Sequence, residues 1–380
     1  MGTIHVVHLI EALEVGGVET NLASLLKRIR KGGFVLEVWC LLVEGTVAAW
    51  MKREGIPVRS LGGKRNHTFF NIWRTYRALK HARPLILHCH DFPAGVIGRI
   101  AGILAGVPVL FSHFYAPREP SEVPSRDRWI ESLLLRRTER IFAGSLAVRE
   151  NIASLYDLPI DKIELVYNCV ESDLLSHPSD VLTVRAELGI KEGSFVITDI
   201  SRLVPHKGHR VLFEAISRLV SQRQNLMVLL VGEGPERPAL EAEAKRLGLN
   251  GIVRFLGFRE DLSNILALSD LVVLPSFREG FGIVLAEAGL FGKPVVATRT
   301  GGAKEVVLHG KTGFLVEPGD ISALAEAIQT FLDHPELREV FGREGKAFCQ
   351  ENFLPDRWAS VLEGIYRKAV SDRLSRTGEG

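Results

Sequence analysis

Short apolar runs alternate with amphipathic segments of helix length from one end of this chain to the other. Strands that alternate with helices pair in parallel, because each connection crosses over through a helix. The alternation therefore predicts an α/β fold whose mostly parallel sheets are covered by helices. The predicted strands lie near residues 3–10, 35–43, 57–61, 85–89, 108–111, 140–144, 163–167, 195–200, 226–231, 252–256, 271–274, 294–297 and 313–316.

The alternating pattern breaks once, in a polar stretch that follows the strand near 163–167 and runs to residue 179. A chain of 380 residues also exceeds what one hydrophobic core usually organises. We therefore predict two doubly wound domains, 1–171 and 172–354, each with its ligands at the carboxyl ends of its strands. A last helix is predicted from Pro355 to Val370, and the polar tail to residue 380 is expected to be frayed.

The composition is that of a soluble globular protein, with 24% charged residues. A net charge of +2 argues against a nucleic-acid binder, and four scattered cysteines suit a reducing compartment. The N-terminus lacks the charged start of a signal peptide, and the most apolar segment, 94–111, is broken by Arg99 and Pro108. We predict a cytoplasmic protein, with peripheral contact to the inner face of the cell membrane left open.

Two carboxylates, Glu279 and Glu287, bracket a glycine-containing turn between two predicted strands. Gly280, Phe281 and Gly282 fill this turn and open a helix, so backbone amides there can face an anion or a sugar hydroxyl. Glu279 then lies at the carboxyl end of a strand, and Glu287 about a turn and a half into the helix. An ordinary strand-loop-helix with a solvated Glu287 would give the same pattern.

This segment resembles the Glu-x7-Glu signature of retaining glycosyltransferases of family 4. The resemblance covers nearly the whole chain, in blocks that occur in the family's order. These blocks are residues 16–19, 88–91, 166–170, 201–208, 231–235, 279–287, 301–305 and 313–320. The resemblance implies the GT-B architecture, in which two Rossmann-like domains face one another across a cleft. It also implies an acceptor-binding first domain, a nucleotide-sugar-binding second domain, and a last helix, within 355–380, that crosses back to the first.

Transfer from a nucleotide sugar leaves negative charge on a diphosphate, so the site needs cations or amide donors there. Arg202 and Lys207 follow a predicted strand and are placed to bind that diphosphate, as the matching residues do in the resembling family. Two solvated basic residues on a loop are the alternative. We predict Arg202 and Lys207 as catalytic and donor-binding residues.

The family pattern also gives roles to the segment at 279–287. It implies that Glu279 contacts the donor-sugar hydroxyls and that Glu287 holds the ribose hydroxyls. The amides of Phe281 and Gly282, next to Gly280, would lie against the sugar and phosphate. A glycosidase-like pair of acid and nucleophile is disfavoured, because the pattern assigns both carboxylates to donor binding. Retention is then explained by front-face attack, with the leaving phosphate oxygen taking the acceptor's proton.

Glycines and a histidine extend the predicted site into the first domain. Gly16 and Gly17 separate the first strand from a helix, where backbone can approach a phosphate closely; a plain turn is the alternative. In the resembling family this loop lies near the donor phosphates and the acceptor. A histidine at the strand end matching His113 approaches the donor sugar there, so His113 is our candidate active-site histidine. The following loop, 114–124, has three prolines and is predicted to contact the acceptor.

His88 and His90 lie on one face of another predicted strand, because side chains alternate along it, and Asp91 follows. A metal site there would need a third ligand at a characteristic spacing, and we find none. We therefore predict no metal centre and a transfer that needs neither metal nor cofactor.

The segment 231–237 nearly forms a dinucleotide-binding fingerprint. Its third glycine is replaced by Arg237 and no acidic residue ends the following strand, which argues against a nicotinamide enzyme. The turn after that strand lies beside the nucleobase in the resembling family, so Arg259 is a candidate base contact.

No acidic residue occurs between Glu54 and Asp91, whereas basic and aromatic residues are interleaved there. A basic, aromatic-flanked helix can lie on an anionic bilayer, but the favoured interpretation of such a pattern is a helix that covers the sheet with its charges solvated. The basic residues are Arg59, Lys64, Arg65, Arg74, Arg77, Lys80 and Arg83, and the aromatic ones are Phe69, Phe70, Trp73 and Tyr76.

Together these features predict a retaining, metal-independent glycosyltransferase that uses a nucleotide-diphospho-sugar, uridine diphosphate being favoured over guanosine diphosphate. Its acceptor would be a saccharide, lipid-linked, in cell-envelope glycan synthesis. A sugar-nucleotide epimerase of the same architecture is one alternative, and a non-catalytic nucleotide-sugar-binding protein is another. The presence of Arg202, Lys207, Glu279 and Glu287 together argues against a site that has lost its activity.

Overall fold

The computed structural model describes residues 3–14, 16–29, 33–171, 180–220 and 225–377. They form two compact units, one of Met1–Val170 with Pro355–Gly380 and the other of Glu171–Leu354. Most of the predicted linker, from residue 172 to 179, lies outside the described residues.

A parallel sheet of seven strands organises the first unit. Its strands are β1 (Ile4–Ile10), β2 (Phe34–Cys40), β3 (Val58–Ser60), β4 (Ile86–His90), β5 (Val109–Phe114), β6 (Arg140–Ala143) and β7 (Ile163–Leu165). Their order across the sheet is β3-β2-β1-β4-β5-β6-β7. The winding direction therefore reverses between β1 and β4, and doubly wound sheets bind ligands beside the carboxyl ends of the strands at such a switch point.

Among the described residues, six helices connect these strands and cover the sheet. They are α1 (Gly17–Ile29), α2 (Thr46–Arg53), α3 (Thr68–Ala82), α4 (Ala94–Ala105), α5 (Ser125–Arg136) and α6 (Leu146–Tyr156). Helix α1 shows why they pack: Leu22, Leu25, Leu26 and Ile29 recur every three or four residues, so they share one face, and all four are buried.

A second parallel sheet, of six strands, organises the other unit. Its strands are β8 (Phe195–Ile200), β9 (Leu226–Val231), β10 (Val253–Gly257), β11 (Leu271–Leu274), β12 (Val295–Thr298) and β13 (Gly313–Val316). Their order is β10-β9-β8-β11-β12-β13, so the switch point lies between β8 and β11. Each of the thirteen predicted strands is present in the structure.

The described part of this second unit contains eight helices. They are α7 (Val181–Glu187), α8 (His209–Val220), α9 (Arg237–Arg246), α10 (Leu262–Leu268), α11 (Ile283–Leu290), α12 (Ala303–Val306), α13 (Ile321–Asp333) and α14 (Pro335–Asn352). The apolar core of the unit lies between the sheet and helices such as α8 and α13, whose buried residues include Leu212, Phe213, Ile328 and Phe331.

The last helix, α15 (Pro355–Thr377), belongs to the first unit. It packs on α1, where Arg28 Nε lies 3.3 Å from Asp356 Oδ1, and it buries Tyr366 completely. The prediction of a frayed tail after Val370 is wrong as far as Thr377, because this polar stretch contains no helix-breaking glycine or proline before Gly378. Within the described residues, no helix combines the length and apolarity that crossing a membrane requires.

Candidate active site

The loops that follow β8 and β11 meet at the switch point of the second unit. Lys207 comes from the first loop and Glu279 from the second, and Lys207 Nζ lies 2.7 Å from Glu279 Oε2. Both side chains are largely buried, at 14% and 13% exposure, and Ser276 Oγ lies 3.4 Å from the same carboxylate oxygen. Two of the predicted donor-site residues are thus brought together, although 72 residues separate them in sequence.

Close contacts between backbone segments hold these loops in place. Gly208 has φ +73°, and a Cβ there would lie 2.0 Å from the carbonyl oxygen of Pro275. Gly301 has φ +44°, and its Cβ would lie 1.6 Å from the carbonyl oxygen of Glu279. Only glycine fits either place, so the backbone that carries Glu279 is fixed from two sides.

A buried polar network lies behind the first of these loops. Ser201 Oγ donates to Asp199 Oδ1 at 2.7 Å and lies 3.0 Å from His209 Nε2, which is 3.8 Å from Asp199 Oδ2. Burial raises the pKa of Asp199. The network ties β8 to the start of α8 and so positions the loop with Lys207. Sequence reasoning missed Asp199 and His209, although a carboxylate inside an otherwise apolar strand was a usable signal.

The same edge of the sheet collects positive charge. Arg202 is exposed, and no other described side chain forms a hydrogen bond or ion pair with it. Burial, together with the nearby cations Lys207, Arg278 and Arg202, lowers the pKa of His206. Arg278 was not predicted as a site residue. These groups give the switch point a positive potential that suits an anionic ligand.

The predicted second carboxylate lies in α11, which Gly282 caps without a side-chain hydrogen bond. Glu287 is the fifth residue of this helix and is half-buried, and burial raises its pKa to about 7. No described residue donates a hydrogen bond to its carboxylate. The ring of Phe281 is buried in the core, and its centroid lies 5.1 Å from that of the Phe353 ring. Only the backbone of Phe281 and that of Gly280 are therefore left to line the turn.

Arg259 follows β10 but its guanidinium is already engaged. Its Nε and Nη2 donate to Asp261 at 2.8 and 2.9 Å, and its Nη1 donates to Glu187 at 2.8 Å. The predicted contact between Arg259 and the nucleobase therefore stays a prediction. It would require the guanidinium to contact the base either while it is paired with these carboxylates or after it has left them. The neighbouring Phe258 is 53% exposed in the same turn.

In the first unit, Gly16 lies between β1 and α1, and Gly17 is the first residue of α1. The backbone oxygen of Gly16 accepts hydrogen bonds from the amide and hydroxyl of Thr20, at 3.0 and 2.9 Å. Glu19 lies near Asp91, which follows β4 at the same switch point. Burial raises the pKa of Asp91 to about 7, and the charge of Glu19 adds to this effect. The amide of Tyr115 donates to Asp91 Oδ1 at 3.1 Å.

His113 lies beside these residues, within a group that we name the histidine cluster. It is 1% exposed, its ring stacks on Tyr115 at 4.1 Å, and its Nε2 has no hydrogen-bond partner among the described residues. Burial lowers the pKa of His113 to about 3, so its ring is neutral at ordinary pH. The cluster consists of His8, His88, His90 and His113. Sequence reasoning missed His8, because it comes from another strand, β1.

Two family models match this chain. One is described as "Glycosyl transferases group 1" and matches residues 180–348, and the other, "Glycosyltransferase Family 4", matches residues 15–174. A D-inositol 3-phosphate glycosyltransferase of Corynebacterium glutamicum (strain R) is 30% identical over 306 residues, which are 76% of this chain and 73% of that protein. The chain belongs to glycosyltransferase family 4.

Two further proteins resemble this glycosyltransferase. The N-acetyl-alpha-D-glucosaminyl L-malate synthase of Bacillus anthracis is 33% identical over 214 residues, so the match spans only 56% of either chain. The crystal structure of HepE of Anabaena in complex with UDP-glucose matches with a TM-score of 0.84 and 25% identity, over 97% of this chain and 100% of that one. The enzyme therefore has the two-domain α/β fold called GT-B, and the predictions of family, fold and glycosyltransferase activity are confirmed.

Proposed function

We propose that this glycosyltransferase is a retaining enzyme that moves a sugar from a nucleotide-diphospho-sugar to a saccharide acceptor. The observation that carries the proposal is the Lys207–Glu279 pair at the switch point of the second unit, beside the exposed Arg202. Cations there can take up the charge that develops on the leaving diphosphate, which is the main electrostatic demand of the reaction. The adjoining carboxylate can accept hydrogen bonds from sugar hydroxyls.

Each donor-site residue then has a distinct role. Arg202 and Lys207 bind the diphosphate, Glu279 the sugar hydroxyls, and Glu287 the ribose hydroxyls. Glu287 supports this role because it is half-buried and receives no hydrogen bond from the described residues, so its acceptor capacity is available to a ligand. UDP-sugars are favoured over GDP-sugars because the similar HepE of Anabaena has been crystallised with UDP-glucose.

Retention is proposed to follow from attack on the same face of the sugar as the leaving group. The acceptor hydroxyl forms the new bond to the anomeric carbon, the bond to the diphosphate breaks, and the hydroxyl proton passes to the leaving phosphate oxygen. Lys207 and Arg202 stabilise the diphosphate as its negative charge grows. His113, in its neutral form, would contact the donor sugar. Analysis of the product by NMR tests this step, because an inverted anomeric configuration contradicts it.

The transfer step is proposed to need no metal, because basic side chains already stand where the diphosphate would bind. Turnover should survive brief treatment with EDTA. Loss of turnover that added Mg²⁺ or Mn²⁺ restores would contradict metal-independent transfer.

The first unit is proposed to bind the acceptor, and its surface favours a lipid-linked one. Phe69 and Trp73 on α3 are 90% and 50% exposed. Arg74 lies over the ring of Phe70 at 5.4 Å and Arg77 over that of Trp73 at 5.0 Å. Exposed aromatic rings with arginines beside them suit the interface of an anionic bilayer, which would keep the enzyme peripheral on the inner face of the cell membrane.

Vesicle co-sedimentation tests this surface. The enzyme should bind vesicles that contain anionic lipid, less so as salt rises, and replacement of Lys64, Arg65, Arg74 and Arg77 by Gln should weaken binding without changing nucleotide affinity. Replacement of four exposed basic residues of the second unit, Lys245, Lys311, Arg343 and Lys346, by Gln is the matched control, because it removes the same charge. Wild-type enzyme that stays in the supernatant at low salt would show that α3 is only a solvated helix.

A thermal-shift screen against nucleotide sugars tests the function itself, because a ligand that binds only the native state raises its stability. The active donor should then yield a glycosylated product only when an acceptor is present. Release of free nucleotide together with an epimerised sugar, without acceptor, would favour the epimerase instead. A screen in which no nucleotide sugar stabilises the protein would contradict the proposal.

A further inference from the structure

Three rings of the histidine cluster lie side by side inside the first unit. His88 and His90 point to one face of β4, and His8 on β1 lies opposite His88 in the sheet register. One ring nitrogen from each of the three lies within 4.8 Å of the others. Among the described residues, this is the one group of histidines, cysteines and carboxylates with such spacing. Two histidines lie two residues apart on one strand, and the third lies on the neighbouring strand. Such a three-nitrogen group has no characteristic spacing in the sequence.

Tyrosine hydroxyls lie beside one ring nitrogen of each of these three histidines. Tyr366 Oη lies 2.6 Å from His88 Nδ1 and 3.5 Å from His8 Nε2, and Tyr115 Oη lies 2.8 Å from His90 Nδ1. Each ring therefore has one nitrogen near a tyrosine, its outer nitrogen, and one away from it, its inner nitrogen; the inner nitrogens are His8 Nδ1, His88 Nε2 and His90 Nε2. Metal-ligating histidines use this arrangement, because an outer hydrogen bond fixes the ring and its tautomer.

The inner nitrogens are incompletely satisfied. His88 Nε2 is fully buried and has no hydrogen-bond partner among the described residues, while His8 Nδ1 and His90 Nε2 lie 2.9 Å apart and share one hydrogen bond. A buried ring nitrogen without a partner costs free energy, so it calls for a ligand. A neutral imidazole has one nitrogen lone pair that it can offer to a metal ion, and three such rings meet in this cluster.

From this geometry we propose that His8, His88 and His90 bind one divalent transition-metal ion, with Zn²⁺ as the representative ion. Metal–nitrogen bonds of about 2.1 Å place the nitrogens of a tetrahedral ion roughly 3.4 Å apart. His88 and His90 are stacked, with centroids 4.5 Å apart and 20° between the ring planes, so metal binding requires one of these rings to turn out of the stack. The site is structural. The ion would crosslink β1 to β4, and through Tyr366 it would stabilise the packing of α15. It has no part in the donor-diphosphate chemistry of the second unit. The expectation of no metal centre rested on a missing third ligand, and His8 supplies one.

Metal content after refolding tests the site, because a buried ion enters most readily as the chain folds. Wild-type protein is unfolded in denaturant with EDTA, freed of chelator, and refolded with Zn²⁺ or Co²⁺. We expect one ion per chain after gel filtration, and the visible absorption of four-coordinate Co²⁺ with nitrogen ligands. His88→Gln and His90→Gln should lose the ion. His5→Gln, on the same strand as His8 but paired with Glu37 on the partly exposed face, should keep it.

Equal metal content in wild type and in the His88→Gln and His90→Gln variants overturns the proposal, whether that content is zero or one. If those variants fail to refold, as far-UV circular dichroism would show, the wild type decides. A refolded wild type without bound Zn²⁺ or Co²⁺ overturns the site, and one that binds Co²⁺ with a four-coordinate nitrogen spectrum supports it. Neither result depends on glycosyl transfer, so failure here leaves the proposed function untouched.

Discussion

At the scale of single residues, the charge of the candidate active site depends on partners that the fold brings from distant parts of the sequence. Arg202, Lys207 and Glu279 could be predicted because each follows an apolar strand, where parallel sheets expose side chains. Their pairing could not, since Lys207 and Glu279 lie in loops separated by 72 residues. Arg278 adds charge that no local pattern indicated.

Removing a cation from the switch point should reduce turnover without unfolding the protein. Lys207→Ala and Arg202→Ala should each lower kcat/KM by a factor of about 100 or more, because stabilisation of the leaving diphosphate is lost. Steady-state kinetics with the true donor measure this, and circular dichroism checks the fold. Lys311→Ala, an exposed lysine of the same unit, is the control and should retain activity. Near-normal turnover in both variants would rule out the diphosphate role.

The raised pKa of Glu287 gives a pH dependence with a defined sign. The pKa of Glu287 is about 7 in the free enzyme, so below that pH its side chain is mostly protonated. It must then lose this proton before its carboxylate can accept hydrogen bonds from the ribose hydroxyls. Affinity for an intact UDP-sugar should therefore fall, by up to about tenfold per pH unit, below roughly pH 7. Calorimetry should show this in wild type but not in Glu287→Gln. Asp91→Asn, which removes the other carboxyl group with a pKa of about 7, should keep the dependence. A flat wild-type profile contradicts the ribose role.

At the scale of secondary structure elements, helices α4 and α5 are joined by a buried ion pair. Arg99 Nη2 donates to Glu131 Oε1, and their side chains are 0% and 4% exposed. Arg99 Nη1 and Glu131 Oε2 have no hydrogen-bond partner among the described residues. The sequence showed Arg99 only as a charge within an apolar segment. Its partner could not be inferred, because Glu131 lies 32 residues away on another helix.

Breaking this pair from one side should be costly. Arg99→Met or Glu131→Leu leaves the other charge buried and alone, and should lower the free energy of unfolding by about 3–5 kcal/mol. The double variant should regain most of that loss, because no buried charge then remains. Urea denaturation followed by tryptophan fluorescence measures both. Arg136→Ala, which breaks the exposed pair with Asp157, should cost less than about 1 kcal/mol. Single variants as stable as wild type would show that the pair is not buried in solution.

At the scale of the whole molecule, the two units differ in their buried titratable groups. The first unit buries the four rings of the histidine cluster, all with lowered pKa values. The alternating pattern predicted both sheets, because buried parallel strands are nearly continuous apolar runs. It could not predict the cluster, since histidines on β1, β4 and β5 become neighbours only through the order of strands in the sheet.

Acid should unfold the first unit before the second. A lowered histidine pKa means that the unfolded chain binds the proton and the folded chain does not, so stability falls as pH drops below about 6.5. All four rings of the histidine cluster act in this direction, whereas the raised pKa of Asp91 acts against it. In the second unit, Glu287 and Asp199 have raised pKa values, so protonation there stabilises the fold.

The five tryptophans provide the measurement, because Trp39, Trp50, Trp73, Trp129 and Trp358 all belong to the first unit. With chelator present, the urea midpoint seen by tryptophan fluorescence should fall steeply from pH 7 to pH 5. The midpoint of the remaining far-UV signal should change little. Parallel shifts of both signals would contradict the burial of the histidine cluster.

Calorimetry on two variants tests whether the second unit divides donor recognition between Glu279 and Glu287. Each is titrated with bare UDP and with the intact UDP-sugar that the thermal-shift screen identifies. Glu287→Ala should weaken binding of both ligands, because both carry the ribose. Glu279→Ala should leave UDP affinity unchanged and weaken only the intact donor, because its partner is the sugar. Equal losses of UDP affinity in the two variants would contradict this division of roles.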